Sequence, residues 1–374
     1  MTQRIITAEN NYVGIDVWIN DNNIKKIFVV GGGSVKRQAA FKAYLEHLVR
    51  KGIGIVYFSD YQPNPLYESV EKGVKLFREE HCNAIMAVGG GSALDVAKCI
   101  KLFSNMSGDG AEGAFLKQEI LPNRIPFLAM PTTAGTGSEA TRYAVIYYNG
   151  SKQSVTHESS IPDTVLMDSS VLKTLPLYQK KATMMDAYCH ALESFWSVNS
   201  TEKSKVYSRK AIELVLAHME GYLSNTDEGN AGMLLAANVA GKAINITQTT
   251  AGHAMCYKIT SLFGVAHGHA AFLCNRKLFP WMIVNTEACI DPRGEGYLND
   301  TLLEIAGAMG CKTAEEAAAK LERIFVKLEL EVPTATEEQL EVLKTSVNPV
   351  RLKNHPVKLT EETIDMLYRQ ILKE

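Results

Sequence analysis

Nothing in this chain is apolar for long enough to cross a membrane. Its longest hydrophobic runs fall short of the roughly 20 residues that a spanning helix needs. The N-terminal MTQRIITAENNYVG lacks the apolar region of a signal peptide, so the expected compartment is the cytoplasm. Neither sign of charge dominates: 39 basic and 41 acidic residues leave a formal net charge of −2. That balance gives no general electrostatic reason to expect a nucleic-acid or membrane partner, although a local patch would suffice for a small anion. The seven cysteines, Cys82, Cys99, Cys189, Cys256, Cys274, Cys289 and Cys311, are odd in number and form no CxxC. Buried free thiols in a reducing compartment are therefore expected. There is no internal repeat and no low-complexity tract, and neither the glycine run at 89–92 nor the small-residue loop at 131–139 matches GxGxxG.

What is present is a change of texture near the middle. A chain of 374 residues is about right for two domains. The first half alternates strand-like and helix-like segments. Apolar runs at Ile27–Val30, Ile53–Phe58, Asn83–Val88 and Pro126–Met130 are each separated by helical patterns. This rhythm predicts an α/β domain over 1–176, built on a doubly wound parallel sheet with ligands at the carboxyl ends of its strands. Asn149-Gly150, between two β-rich runs, predicts a hairpin. After Leu175-Pro176 helical periodicity takes over, at 179–198, 202–222, 228–247, 250–263, 299–309, 313–328 and 360–372. An all-α domain over 177–374 is expected, with 331–357 an irregular connection holding at most a short helix because of Pro333, Pro349 and Pro356.

Two small-residue loops follow predicted strands. Gly89, Gly90, Gly91 and Ser92 open a helix, where backbone N–H groups and the helix dipole suit a pyrophosphate. Asp95, in the first turn, is placed to hold the loop, and Lys98 lies one turn on, within reach of a phosphate. The second loop, PTTAGTGSEAT at 131–141, offers the hydroxyls of Thr132, Thr133 and Thr136. One glycine run alone is equally a tight turn; two such loops favour a dinucleotide cleft. An earlier loop, Gly31-Gly32-Gly33-Ser34-Val35-Lys36-Arg37, lacks the acidic residue that would repel a 2′-phosphate. Both NAD(H) and NADP(H) are therefore admitted, with Gly32, Gly33 and Ser34 as cofactor contacts.

The second half carries Asp186 and His190, four apart in KATMMDAYCHALESF and so on one face of a helix. His253 follows in TTAGHAMCYKITSLF, and His267 in GVAHGHAAF. One carboxylate and three imidazoles suit a catalytic divalent metal, Fe²⁺ or Zn²⁺. Cys189 and Cys256 are near these residues in sequence and are expected to point about 100° away from them on a helix. His269 would share a face with His267 on an extended segment but not on a helix. It is kept as a residue beside the metal or the substrate.

Together these motifs resemble the iron-containing (group III, metal-dependent) alcohol dehydrogenase family. The resemblance runs over PNP at 63–65, GGGSALDVAK at 89–98, PTTAGTGSEAT at 131–141, TLP at 174–176, DAYCH at 186–190 and the two histidine motifs. It implies a dinucleotide domain, a helical metal domain, a homodimer, and one Fe²⁺ or Zn²⁺ on Asp186, His190, His253 and His267. Many members carry a proton-relaying histidine four residues after the third ligand; here Tyr257 stands there. A phenol with an ordinary pKa near 10 is a poor base, so Tyr257 and His269 are both candidates for the relay.

The segments TRYAVIYYNGSKQSV, ESFWSVNSTEKS, AGKAINITQTT and GVAHGHAAF look most like the phosphonoacetaldehyde reductase and sulfoacetaldehyde reductase branch. The implied reaction is NAD(P)H-dependent reduction of a small aldehyde with an anionic head. Arg142, Arg276 and Asn199 are the expected contacts to that head. The alternatives are a general short-chain alcohol dehydrogenase of the same family, a metal-dependent cyclase or lyase on a related fold, and a non-catalytic metal or nucleotide sensor.

Overall fold

Strands that are apolar along their whole length must be covered on both faces, and the central strands here are of that kind. In the computed structural model, which describes residues 3–33, 35 and 38–372, six strands form one parallel sheet. They are β1 (Arg4–Thr7), β2 (Lys26–Val30), β3 (Gly54–Phe58), β4 (Ala84–Gly89), β5 (Phe127–Pro131) and β8 (Thr164–Met167), in the order β1-β8-β5-β4-β2-β3. β4 and β5 are buried at every residue. The four runs read from the sequence are strands, and β1 and β8 extend the sheet beyond them. Among the described residues of this half, the α-helices of four or more residues are α1 (Glu9–Asp21), α2 (Ala39–Arg50), α3 (Tyr67–Glu79) and α4 (Gly91–Phe103), beside short 3-10 turns. The chain reverses between β6 (Tyr143–Tyr148) and β7 (Ser151–Thr156), an antiparallel pair. Asn149 and Gly150 both have positive φ, 49° and 73°, as a two-residue hairpin turn requires.

The chain divides into two compact units. One comprises residues up to Thr133 with Gly137–Thr174, the other Ala134–Thr136 with everything from Leu175 onward. The second unit is helical apart from an isolated bridge, Cys289 to Val357. Its helices are α5 (Leu177–Trp196), α6 (Glu202–Leu223), α7 (Asp227–Thr247), α8 (Ala251–Phe263), α9 (His267–Ile283), α10 (Glu295–Ala308), α11 (Ala314–Leu328), α12 (Glu337–Ser346), α13 (Pro349–Leu352) and α14 (Glu361–Leu372).

Two expectations need correction. The segment 331–357 holds two helices rather than at most one short one: α12 is ten residues long, opened by a reciprocal capping box between Thr336 and Gln339, and the four-residue α13 follows. Its prolines bracket helices rather than interrupt them; Pro349 occupies the first turn of α13, where a missing N–H costs nothing. The other correction is α9, a 17-residue helix that the periodicity list omits and that tolerates Pro280 near its C-terminal end. No helix among the described residues is long and apolar enough to cross a membrane.

Candidate metal and nucleotide sites

In the first unit, β4 runs directly into α4, with Gly90 as the N-cap. Gly32, Gly33, Gly89, Gly90, Gly91 and Ser92 line one cavity of about 330 Å³, together with Ser59 and Tyr61. Thr132 N–H donates to Gly89 O at 3.0 Å. A Cβ on Gly90 would stand 3.3 Å from Thr133 Oγ1, so these two threonines lie beside the glycine turn. Asp95 ties the second loop down, accepting from Ser138 Oγ at 3.0 Å and Val145 N at 3.1 Å.

In the second unit, Asp186, His253 and His267 each offer one ligand atom, and these atoms lie within 4.8 Å of one another. The His190 ring stacks on His253, with centroids 4.4 Å apart and planes 12° from parallel. Its Nδ1 is buried without a hydrogen-bond partner. The four residues come from three helix positions: the middle of α5, the first turn of α8 and the first residue of α9. Gly268 makes that convergence possible. A Cβ there would come within 2.1 Å of Ala182 O and 2.5 Å of Asp186 Cβ, so only glycine lets the start of α9 lie against α5.

Behind His253 stands Glu193, fully buried and seven residues after Asp186 on α5. Glu193 Oε1 lies 2.6 Å from His253 Nδ1 and accepts from Asn275 Nδ2 at 2.8 Å. Its Oε2 accepts from Thr250 N at 2.6 Å and Thr250 Oγ1 at 2.9 Å. A carboxylate at Nδ1 fixes the ring and leaves Nε2, 3.4 Å from Asp186 Oδ1, as the ligand atom.

The charges are strongly coupled. Burial alone would raise Asp186, but His190, His253 and His267 outweigh it and hold the carboxyl well below the usual range. Burial opposes the imidazolium of His253, yet the Glu193 and Asp186 carboxylates hold its pKa up, to about 9. Burial dominates at His190 and brings it down to about 4. A buried carboxylate facing three imidazoles is a donor set that a divalent cation would satisfy.

The family model for iron-containing alcohol dehydrogenase matches residues 2–169, and the C-terminal model of the same family matches 180–372. The chain belongs to the iron-containing alcohol dehydrogenase family. It is thus an oxidoreductase of the metal- and NAD-dependent alcohol dehydrogenase type. Alcohol dehydrogenase 4 of Schizosaccharomyces pombe is 30% identical over 295 residues, 77% of this chain and 67% of the relative. Phosphonoacetaldehyde reductase of Streptomyces viridochromogenes is 27% identical over 314 residues, 80% of this chain and 79% of the relative. Sulfoacetaldehyde reductase of Bifidobacterium kashiwanohense, solved with NAD⁺, superposes with a TM-score of 0.85 at 25% identity, covering 99% of this chain and 97% of that one.

Several residues expected at a site of this family lie elsewhere. Lys98 does not point at a phosphate. It is fully buried, and its Nζ donates to Ser138 O, Thr141 O and Tyr143 O at 2.6–2.8 Å, fastening the second loop. Arg142 pairs with Glu158 at 2.5 Å. Arg276, nine residues along α9 from His267, is turned half a revolution from it; it is buried against Phe325 and pairs with Glu322 at 2.9 Å. Asn199 donates to Asn354 Oδ1 at 2.9 Å. His269 is on a helix and so faces away from His267, with its Nδ1 3.1 Å from the Tyr178 hydroxyl. Ser34, Lys36 and Arg37 lie outside the described residues, and Thr136 groups with the second unit.

Tyr257 does lie beside the candidate ligand group: its ring centroid is 5.1 Å from that of His267. Cys256 also differs from expectation. It stands three residues after His253, one helical turn on, and its Sγ is 3.5 Å from His267 Nδ1. Burial pushes that thiol far up, so it stays protonated. Two residues escaped the sequence reading. Glu193 had a signal, a lone carboxylate on the Asp186 face of an otherwise apolar helix end. Arg351 had none: it donates to Tyr257 Oη at 3.1 Å from 94 residues away.

Proposed function

We propose that the protein reduces a small aldehyde to its primary alcohol with NADH or NADPH at one divalent metal, Fe²⁺ or Zn²⁺, and that the aldehyde has an anionic head. Phosphonoacetaldehyde and sulfoacetaldehyde are the proposed substrates. The observation that carries the reading is the Asp186–His253–His267 group with Glu193 behind it. The names of the two reductase relatives support the anionic head. When bound, the metal supplies a Lewis acid for the carbonyl oxygen, and the nicotinamide supplies the hydride.

The protein's own groups have distinct tasks. Asp186 contributes the negative charge of the ligand set, with His190, His253 and His267 as neutral donors. Glu193 sets the tautomer of His253. The Gly89–Ser92 turn, at the N-terminus of α4, is shaped for the pyrophosphate. Burial raises Tyr257 and Arg351 opposes that rise; the phenol still stays protonated through the neutral range. Tyr257 is thereby fitted to donate a hydrogen bond or proton beside His267, not to act as a base. His269, on the other side of α9, is not. The family resemblance adds a homodimer, which sedimentation of the metal-replete protein tests.

The deciding assay follows NADH and NADPH oxidation with phosphonoacetaldehyde, sulfoacetaldehyde and propionaldehyde, before and after chelation. Chelator-sensitive oxidation with the anionic aldehydes favoured is expected. Failure with every aldehyde would reject reduction, and a preference for propionaldehyde would reject the anionic head.

A further inference from the structure

The residues first expected to read an anionic head are already neutralised or turned away, since Arg142 holds Glu158 and Arg276 holds Glu322. Arg351 is different. It sits half-exposed on the short helix α13, and among the described residues its hydrogen-bond partners are two hydroxyls, with no carboxylate. One is Thr249 Oγ1 at 3.3 Å and the other Tyr257 Oη at 3.1 Å. The guanidinium carbon lies 5.1 Å from the centre of the Tyr257 ring, and the His267 ring lies against that same tyrosine, again at 5.1 Å. One tyrosine ring therefore separates an unneutralised cation from a proposed metal ligand. A head group carried one carbon from an aldehyde must be read at that short range.

The surroundings hold Thr249, one of the partners of this cation, in place. Asn354 Nδ2 donates to Thr249 O at 3.2 Å and Gln248 Oε1 at 3.3 Å, while its Oδ1 accepts from Asn199. Val198 N donates to Asn354 O at 3.0 Å. Gln248, between α7 and Thr249, has φ 61° and ψ 179°, a conformation almost confined to glycine. A side chain kept there needs surroundings that over-determine it, and functional sites are where such strain collects.

We propose that Arg351, with the hydroxyls of Thr249 and Tyr257 beside it, is the specificity residue that takes the phosphonate or sulfonate head of the substrate. This rests on the metal-site reading above. A guanidinium matches two oxygens of either head in a fork, and the hydroxyls supply further donors. Asn199 then acts as a positioning residue, through Asn354, rather than as a contact.

The test uses the metal-replete enzyme, Arg351→Met and Arg351→Lys, with ethylphosphonate and ethanesulfonate as non-reacting probes in calorimetry. Losing a charge-assisted contact should weaken binding of one or both probes roughly ten- to hundredfold in Arg351→Met. Arg351→Lys should recover part of it, at equal metal content. The preference for anionic over uncharged aldehyde should fall with it. Equal probe affinity in the wild type and Arg351→Met would overturn the proposal. So would a loss confined to NADPH relative to NADH, which would assign Arg351 to the cofactor phosphate. Loss of probe binding in an enzyme that reduces no anionic aldehyde would keep Arg351 as an anion site and reject the substrate reading instead. If Arg351→Met does not fold, Thr249→Val carries the same comparison.

Discussion

At the scale of single residues, the proposed metal site depends on a carboxylate that stands behind the ligand group rather than in it. Glu193 holds the Nδ1 of His253 and the N-terminus of α8 through Thr250, so one side chain orients a proposed ligand and the helix that bears it. Glu193→Gln should reduce metal affinity by about 10- to 100-fold. Competition against a chromophoric chelator measures this; an unchanged affinity would show that Glu193 is only a packing residue. The same pair sets a pH dependence. In the metal-free protein the His253 pKa is raised from 6.5 to about 9, chiefly by the Glu193 and Asp186 carboxylates against the effect of burial. Its stabilising contribution is complete below 6.5 and is lost as pH rises through 9. Metal needs the neutral ring, so affinity should climb across that window with release of protons. Calorimetry at pH 6.5 and 9 in buffers of different ionisation enthalpy checks this, and a flat affinity would contradict it.

Elements meet at this site through residues chosen for their size. Gly268 lets the first turn of α9 lie on α5, and Gly252 lets the first turn of α8 pass Glu193, whose Oε1 would be 2.5 Å from an added Cβ. Gly268→Ala must move backbone, because its obstacles are a carbonyl and the Asp186 main chain. A loss of about 1–3 kcal/mol is expected from such overpacking, together with weaker metal binding because His267 withdraws from Asp186. Denaturant midpoints and metal content report the two effects; retention of both would mean that α9 can slide without consequence. The helical list read from periodicity missed α9 because its apolar residues are buried all round. They show no stripe.

For the whole molecule, the family match covers both units, 2–169 and 180–372, and the proposed ligands fall into separate sets. Every proposed metal ligand belongs to the second unit, and the cavity of glycine turns belongs to the first. Metal at about a hundred times its dissociation constant should add about 2.7 kcal/mol to the stability of whatever it binds. Chelation should therefore lower the thermal transition that carries the C-terminal helices, and restored Zn²⁺ or Fe²⁺ should raise it. Calorimetric scans with and without chelator decide this, and identical scans would remove the metal from the second unit.

The sequence by itself determined the family, the parallel sheet and the hairpin at Asn149-Gly150, and it supplied the residue types of the candidate donor set. Those features are encoded in local spacing: four residues per helical face, glycines at strand ends, apolar runs of strand length. Tertiary structure alone decided what each charge is paired with. Lys98, Arg142 and Arg276 each read as an anion contact until folding supplied three carbonyls, Glu158 and Glu322. Arg351 had no local signal, yet folding sets it over the Tyr257 ring and leaves it without a carboxylate among the described residues. Spacing along a chain records which side chains share a face. Whether a charge is already satisfied depends on partners tens of residues away, and only the packed fold brings those together.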